Sequence, residues 1–160
     1  MTSPTEAVLT ITVDDALRAL RAVVAEKGPD YVYKPPAGGP TGTCVYAWRV
    51  DGQLQPQCIV GYALHHLGVP LPLIAGAGCD AIKVVALAGR LAQVGYIITT
   101  DAAFVLRSAQ IVQDQVLRFD DPPPNCDATW GAALRAAEKA AATIPGETPT
   151  GNGTGDTPTA

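Results

Sequence analysis

The sequence predicts a single α+β domain, mainly helical, in which a small antiparallel β-hairpin packs on a bundle of four or five helices. Three observations carry that prediction. Apolar residues recur at helical spacing over several stretches, each punctuated by Gly or Pro. A run of strand formers reverses at Asp51-Gly52. The 160 residues, 48% hydrophobic and only 16% charged, can build one core and are too apolar to stay unfolded. The domain is expected over residues 8–143, with a flexible 1–7 before it and a disordered Gly, Pro and Thr tail over 144–160.

Val8 to Val13 alternates as a short strand, and a helix follows, capped by Asp14 or Asp15, with Val13, Leu17, Leu20 and Val24 on its apolar stripe. Gly28-Pro29 stops it. Pro35 and Pro36 force Asp30 to Pro36 to be extended. Thr43 to Val50 and Gln53 to Gln57 form the hairpin, in which Pro56 marks an edge position. Cys58 to Leu67 reads as a helix ended by Gly68, and Pro70 to Gly78 as a connection without regular structure. Asp80 caps an almost wholly apolar helix from Ala81 to about Val94, which belongs in the middle of the fold. Gly95 to Thr100 is extended, and a helix capped by Asp101 runs to about Arg118, with Val105, Ala109, Val112 and Val116 inward and Arg107, Gln110 and Asp114 outward. After the break at Asp120 to Asn125, a last helix spans Asp127 to Ala142 with Trp130, Ala133, Leu134 and Ala137 inward.

Eleven Lys and Arg against fifteen Asp and Glu give a net charge of -4, the wrong sign for binding nucleic acid through the overall field. No apolar run approaches the roughly 18 residues of a membrane span, so no membrane partner is expected. Met1 to Ala7 has no cationic or apolar run of a secretory signal, which predicts a soluble, cytoplasmic protein. In that reducing compartment a Cys44–Cys58 disulfide is not expected.

Catalytic constellations are sparse. Cys44, Cys58, Cys79 and Cys126 lack the short spacing that grips a tetrahedral zinc. Cys44 and Cys58 with His65 or His66 form the one metal-binding or thiol-dependent alternative. Cys58 lies seven residues before His65 on one helix, about 10 Å away, too far for direct proton transfer. Asp14-Asp15 and Asp120-Asp121 sit where caps and turns want carboxylates. Gly76 and Gly78 precede anionic Asp80 without the Gly-Lys-Ser/Thr of a phosphate loop. Aromatics, by contrast, concentrate in one sector: Tyr31, Tyr33, Tyr46, Trp48 and Tyr62. Rings of this kind are enriched in binding hot spots. Tyr46 and Trp48 share one face of the hairpin with Cys44, and that face either covers the domain's own helices or is offered to a partner.

Asp30-Tyr31-Val32-Tyr33 with Pro35-Pro36, Cys44-Val45-Tyr46, Cys58-Ile59-Val60-Gly61 leading to Leu67-Gly68-Val69, and Gln113-Asp114 with Thr129-Trp130-Gly131 together resemble a group of small uncharacterised proteins encoded by actinobacterial phages and related mobile elements. The resemblance implies a phage or bacterial setting and intracellular action, and no particular activity.

The leading expectation is a non-catalytic protein-binding factor without a cofactor, acting on an unidentified host or phage protein through Tyr31, Tyr33, Tyr46, Trp48 and Tyr62. The alternatives are the Cys44, Cys58 and His65 or His66 metal site, and weak nucleic-acid binding through Arg18, Arg21 and Lys27 or Arg107 and Arg118. The apolar helix at 81–94 leaves two assemblies open, a monomer that surrounds it and a symmetric homodimer with Val84 and Leu87 at the interface.

Overall fold

The structure, a computed structural model, describes residues 7–39, 45–75, 84–117 and 127–145. Of the expected flexible 1–7 and disordered tail 144–160, residues 1–6 and 146–160 lie outside them, as does the break at 120–125, while Ile144 packs against the core. Strand β1 (Leu9–Ile11) runs through Thr12 into α1 (Val13–Lys27). The cap is Thr12 rather than Asp14 or Asp15. Its hydroxyl accepts from the Asp15 N–H at 3.3 Å while the Asp15 carboxylate accepts from the Thr12 N–H at 3.0 Å, so Asp15 closes a reciprocal capping box three residues on. Helix α1 buries Val13, Ala16, Leu17, Ala19, Leu20, Val23 and Val24. It stops at Gly28, whose φ of 93° lies in the region open to glycine.

The extended segment after α1 is held by backbone pairing with the start of the last helix. Trp130 N–H donates to the Tyr31 carbonyl and Gly131 N–H to the Pro29 carbonyl, both at 2.8 Å. The hairpin follows as β2 (Ala47–Val50) and β3 (Gln53–Pro56), antiparallel, with Trp48 opposite Gln55. Asp51 and Gly52 turn it with φ of 51° and 79°, the twist that suits a two-residue hairpin loop. Two bonds extend the pairing past the strands, from Gln57 N–H to the Tyr46 carbonyl and from Cys58 N–H to the Val45 carbonyl. Helix α2 (Ile59–His66) begins there, with the Cys58 Sγ accepting from the Gly61 N–H. A short helix α3 (Leu71–Ala75) occupies part of the expected irregular connection. Pro72 does not prevent it, because the first turn of a helix has no use for that N–H.

Helix α4 (Val84–Ala92), strand β4 (Tyr96–Ile98), helix α5 (Thr100–Gln113) with a 3-10 turn at Asp114–Leu117, and helix α6 (Trp130–Ala142) complete the described chain. Threonines again supply the caps: Thr99 for α5 and Thr129 for α6. Strand β4 pairs in parallel with β1, Leu9 opposite Tyr96 and Ile11 opposite Ile98, a second two-stranded sheet beyond the expected hairpin. The architecture is thus a mainly helical α+β domain. Its core joins α1, α2, α5 and α6 through Leu20, Ile59, Leu64, Leu106 and Trp130.

Two expectations about burial are corrected. Helix α4 is not surrounded: Val84, Leu87 and Leu91 are buried, but Val85 and Ala86 face solvent. Val84 and Leu87 therefore belong to this chain's own core and are not at a dimer interface. On α5, Gln110 and Gln113 are fully buried and Asp114 nearly so, although Gln110 and Asp114 fall on the face expected outward. The Asp114 carboxylate accepts from both amides, at 3.2 and 3.1 Å. Gln113 Oε1 in turn accepts the Ile59 N–H at 2.7 Å, one of the donors that a helix start leaves without an intrahelical partner. Replacing Gln113 with Leu should cost about 1–3 kcal/mol, because the Ile59 N–H is then buried without that acceptor. A denaturant midpoint equal to wild type would remove this tie between α5 and α2.

Candidate functional site

The C-terminal end of α1, the extended segment, α2 and α6 meet in an aromatic box. Trp130, fully buried, is its floor. The Tyr31 ring stands edge-on to it at 4.5 Å and 69°, the Tyr62 ring at 5.5 Å and 67°, geometries favoured by the ring quadrupoles. Lys27 Nζ lies 4.7 Å from the centre of the Tyr62 ring and 5.5 Å from that of Tyr31, within cation–π range. A hydrogen bond to Tyr62, opposed by partial burial and assisted by the charges of Tyr62, Tyr31 and Glu26, raises the Lys27 pKa above its ordinary value. Just before α6, Asp127 accepts from the Thr129 hydroxyl at 2.6 Å and the Thr129 N–H at 3.2 Å. Those bonds, and then the nearby Arg135, hold its carboxyl below the usual carboxylate range.

The five aromatics singled out from the sequence thus divide. Tyr33 and Tyr46 are core residues at 2% and 1% exposure, and the Tyr33 hydroxyl accepts from the Val45 N–H at 3.2 Å. Neither ring is presented to a partner. Val45, Tyr46 and Ala47 are all buried, because α2 and the extended segment enclose the base of the hairpin before its alternation takes effect. Trp48 is half-buried on β2, and Tyr31 and Tyr62 are half-buried in the box.

Tyr62 also lines a groove along β3 and α2. Two clefts meet at His65. One, of about 310 Å³, is bordered by Val23, Glu26, Gln55, Pro56, Tyr62 and His66. The other, of about 440 Å³, has an apolar wall of Leu54, Val69, Pro70 and Leu71 with Arg49 at its rim. His65 and His66 are both exposed on the last turn of α2. Cys58 is fully buried at the opposite end of that helix and spends its sulfur on the Gly61 N–H. The structure therefore does not bring Cys58 and His65 together, and Cys44 lies outside the described residues. Among the described residues no three His, Cys, Asp or Glu side chains form a cluster able to hold a metal ion.

The cations of α1 are engaged within the chain: Arg18 with Asp15 at 2.9 Å, Arg21 with Glu138 at 3.1 Å, and Lys27 in the box. Arg107 is exposed on α5, and Arg118 lies outside the described residues. Sequence reasoning missed Lys27 and Trp130 as parts of the aromatic cluster, and Arg49 and Leu71 as walls of the groove, since these come together only through long-range packing. No helix among the described residues is long and apolar enough to cross a membrane. No protein-family model matches the chain, and no curated protein and no solved structure matches it.

Proposed function

We propose that the chain is a non-catalytic protein-binding factor of phage or bacterial origin that acts inside the cell, with the groove along β3 and α2 as its binding surface. The observation that carries this reading is the meeting of two clefts at His65, one of them with an apolar wall and the Arg49 guanidinium at its rim. An extended polypeptide segment suits such a shape, its apolar side chains against Leu54, Val69 and Leu71 and a carboxylate beside Arg49. Recognition of this kind draws its energy from a few apolar anchors and its register from the charge. The partner is thus an acidic, partly apolar segment of another protein. Tyr62, held in place by Trp130 and Lys27, borders the groove as a rigid wall and keeps one member of the aromatic sector in the binding role. The aromatic hairpin face as a whole does not serve that role, because Tyr46 is enclosed.

A photo-crosslinking residue placed at His65 tests the reading. In bacterial lysate it should yield a discrete protein adduct that disappears with Arg49→Glu, while the same probe at exposed Lys139 on α6 yields none of it. Absence of an adduct, or an adduct indifferent to Arg49→Glu in a folded variant, would sink the proposal.

A further inference from the structure

The outer face of α5 carries Asp101, Phe104 and Arg107, three exposed residues at a spacing of three. Side chains at that spacing form one ridge on a helix. Phe104 is 44% exposed and Val85 on α4 is 63% exposed, the two being among the large apolar side chains most open to solvent. They border a groove of about 270 Å³ whose other walls are Ala88, Ile98, Ala103 and Arg107. Neither Asp101 nor Arg107 has an ion-pair partner among the described residues.

We propose that this face is the contact surface between two copies of the chain in a symmetric homodimer. An interface across a two-fold axis must be complementary to itself, and the order acid, ring, base has that property. A two-fold axis crossing the ridge at Phe104 sets the two ridges antiparallel, so that Asp101 of each copy meets Arg107 of the other while the Phe104 rings meet at the centre. Asp101 and Arg107 are each three residues from Phe104, about 4.5 Å along the helix axis, so both ion pairs form together. The covered apolar surface of Phe104, Val85 and the groove supplies the attraction. Exposed ion pairs add little energy and here select the antiparallel register. The contact goes beyond the binding role proposed above, since it uses α4 and α5 and leaves the groove along β3 and α2 open.

Light scattering after size exclusion tests the inference on the full chain. At micromolar concentration the wild type should show about twice the 16.5 kDa of one chain, and Phe104→Glu should halve that mass with unchanged circular dichroism. Asp101→Arg and Arg107→Asp should each weaken the dimer by bringing like charges together, and the doubly swapped variant should restore it. A wild-type mass of 16.5 kDa at the highest soluble concentration overturns the proposal. So does a dimer that survives Phe104→Glu. Failure of the double swap to recover the dimer rejects the antiparallel pairing even where Phe104→Glu does not fold.

Discussion

Replacing Gly61 with Ala should destabilise the protein by about 3 kcal/mol or more, at or beyond the upper end of overpacking costs. Gly61 sits in the first turn of α2 where the helix presses against the backbone of the hairpin. A Cβ at this position would come within 2.8 Å of the Tyr46 carbonyl carbon and 3.1 Å of its Cα, with the carbonyl oxygen closer still. Those atoms cannot yield as the end of a flexible side chain would. The Tyr46 carbonyl accepts the Gln57 N–H at 3.0 Å, and the neighbouring Val45 carbonyl accepts the Cys58 N–H at 3.0 Å. Moving them breaks the pairing that carries the hairpin into α2. Against a total stability of about 5–15 kcal/mol, the loss should appear as a large drop in the urea midpoint. A midpoint within error of wild type would mean that α2 does not lie this close to the hairpin.

Trp130→Ala should cost about 3–5 kcal/mol, the range for truncating a buried large aromatic ring. Trp130 is fully buried and in edge contact with both Tyr31 and Tyr62, so its loss opens a cavity under the Lys27 box as well as in the core. Trp130→Phe should cost much less. It keeps a ring between the tyrosines, and it removes an indole N–H that is buried without a hydrogen-bond partner among the described residues, a group whose burial is itself unfavourable. Denaturant unfolding of the two variants side by side checks the ordering. Equal losses would show that the stability comes from the indole alone and not from the aromatic contacts.

Local features were legible wherever a single residue type has a backbone preference. Asp51-Gly52 marked the hairpin turn, and Gly28 and Gly68, with φ of 93° and 94°, marked the ends of α1 and α2. The helix starts were displaced because Asp and Thr compete for the same role. Thr12, Thr99 and Thr129 each precede the first helical residue and act as caps, which leaves Asp15 and Asp101 inside the first turn, where a negative charge is also favourable. Periodicity failed on α5 because Gln110 and Asp114 are polar yet buried, bonded to each other, and the tie of Gln113 to Ile59 that accompanies them is a tertiary fact. The candidate site was legible only in part. Tyr62 and His65 stood out by residue type, but Arg49, Leu54 and Leu71 reach them from a hairpin and a short helix whose docking no local pattern reports. Phe104, off the Val105, Ala109 and Val112 stripe, did not stand out as an outward ring, because Arg107, Gln110 and Asp114 alone marked the outward face.

The pairing of β1 with β4 sets an order in time during biosynthesis. Leu9 to Ile11 are made before Tyr96 to Ile98, which follow only after several seconds at an elongation rate of about 5–20 residues per second. Closing so long a loop also carries an entropic cost before any strand contact repays it. Helix α1 and the hairpin have their own local contacts and can form while the ribosome is still at work. The earlier of the two strands therefore waits for its partner, and its edge stays open to intermolecular pairing until β4 arrives.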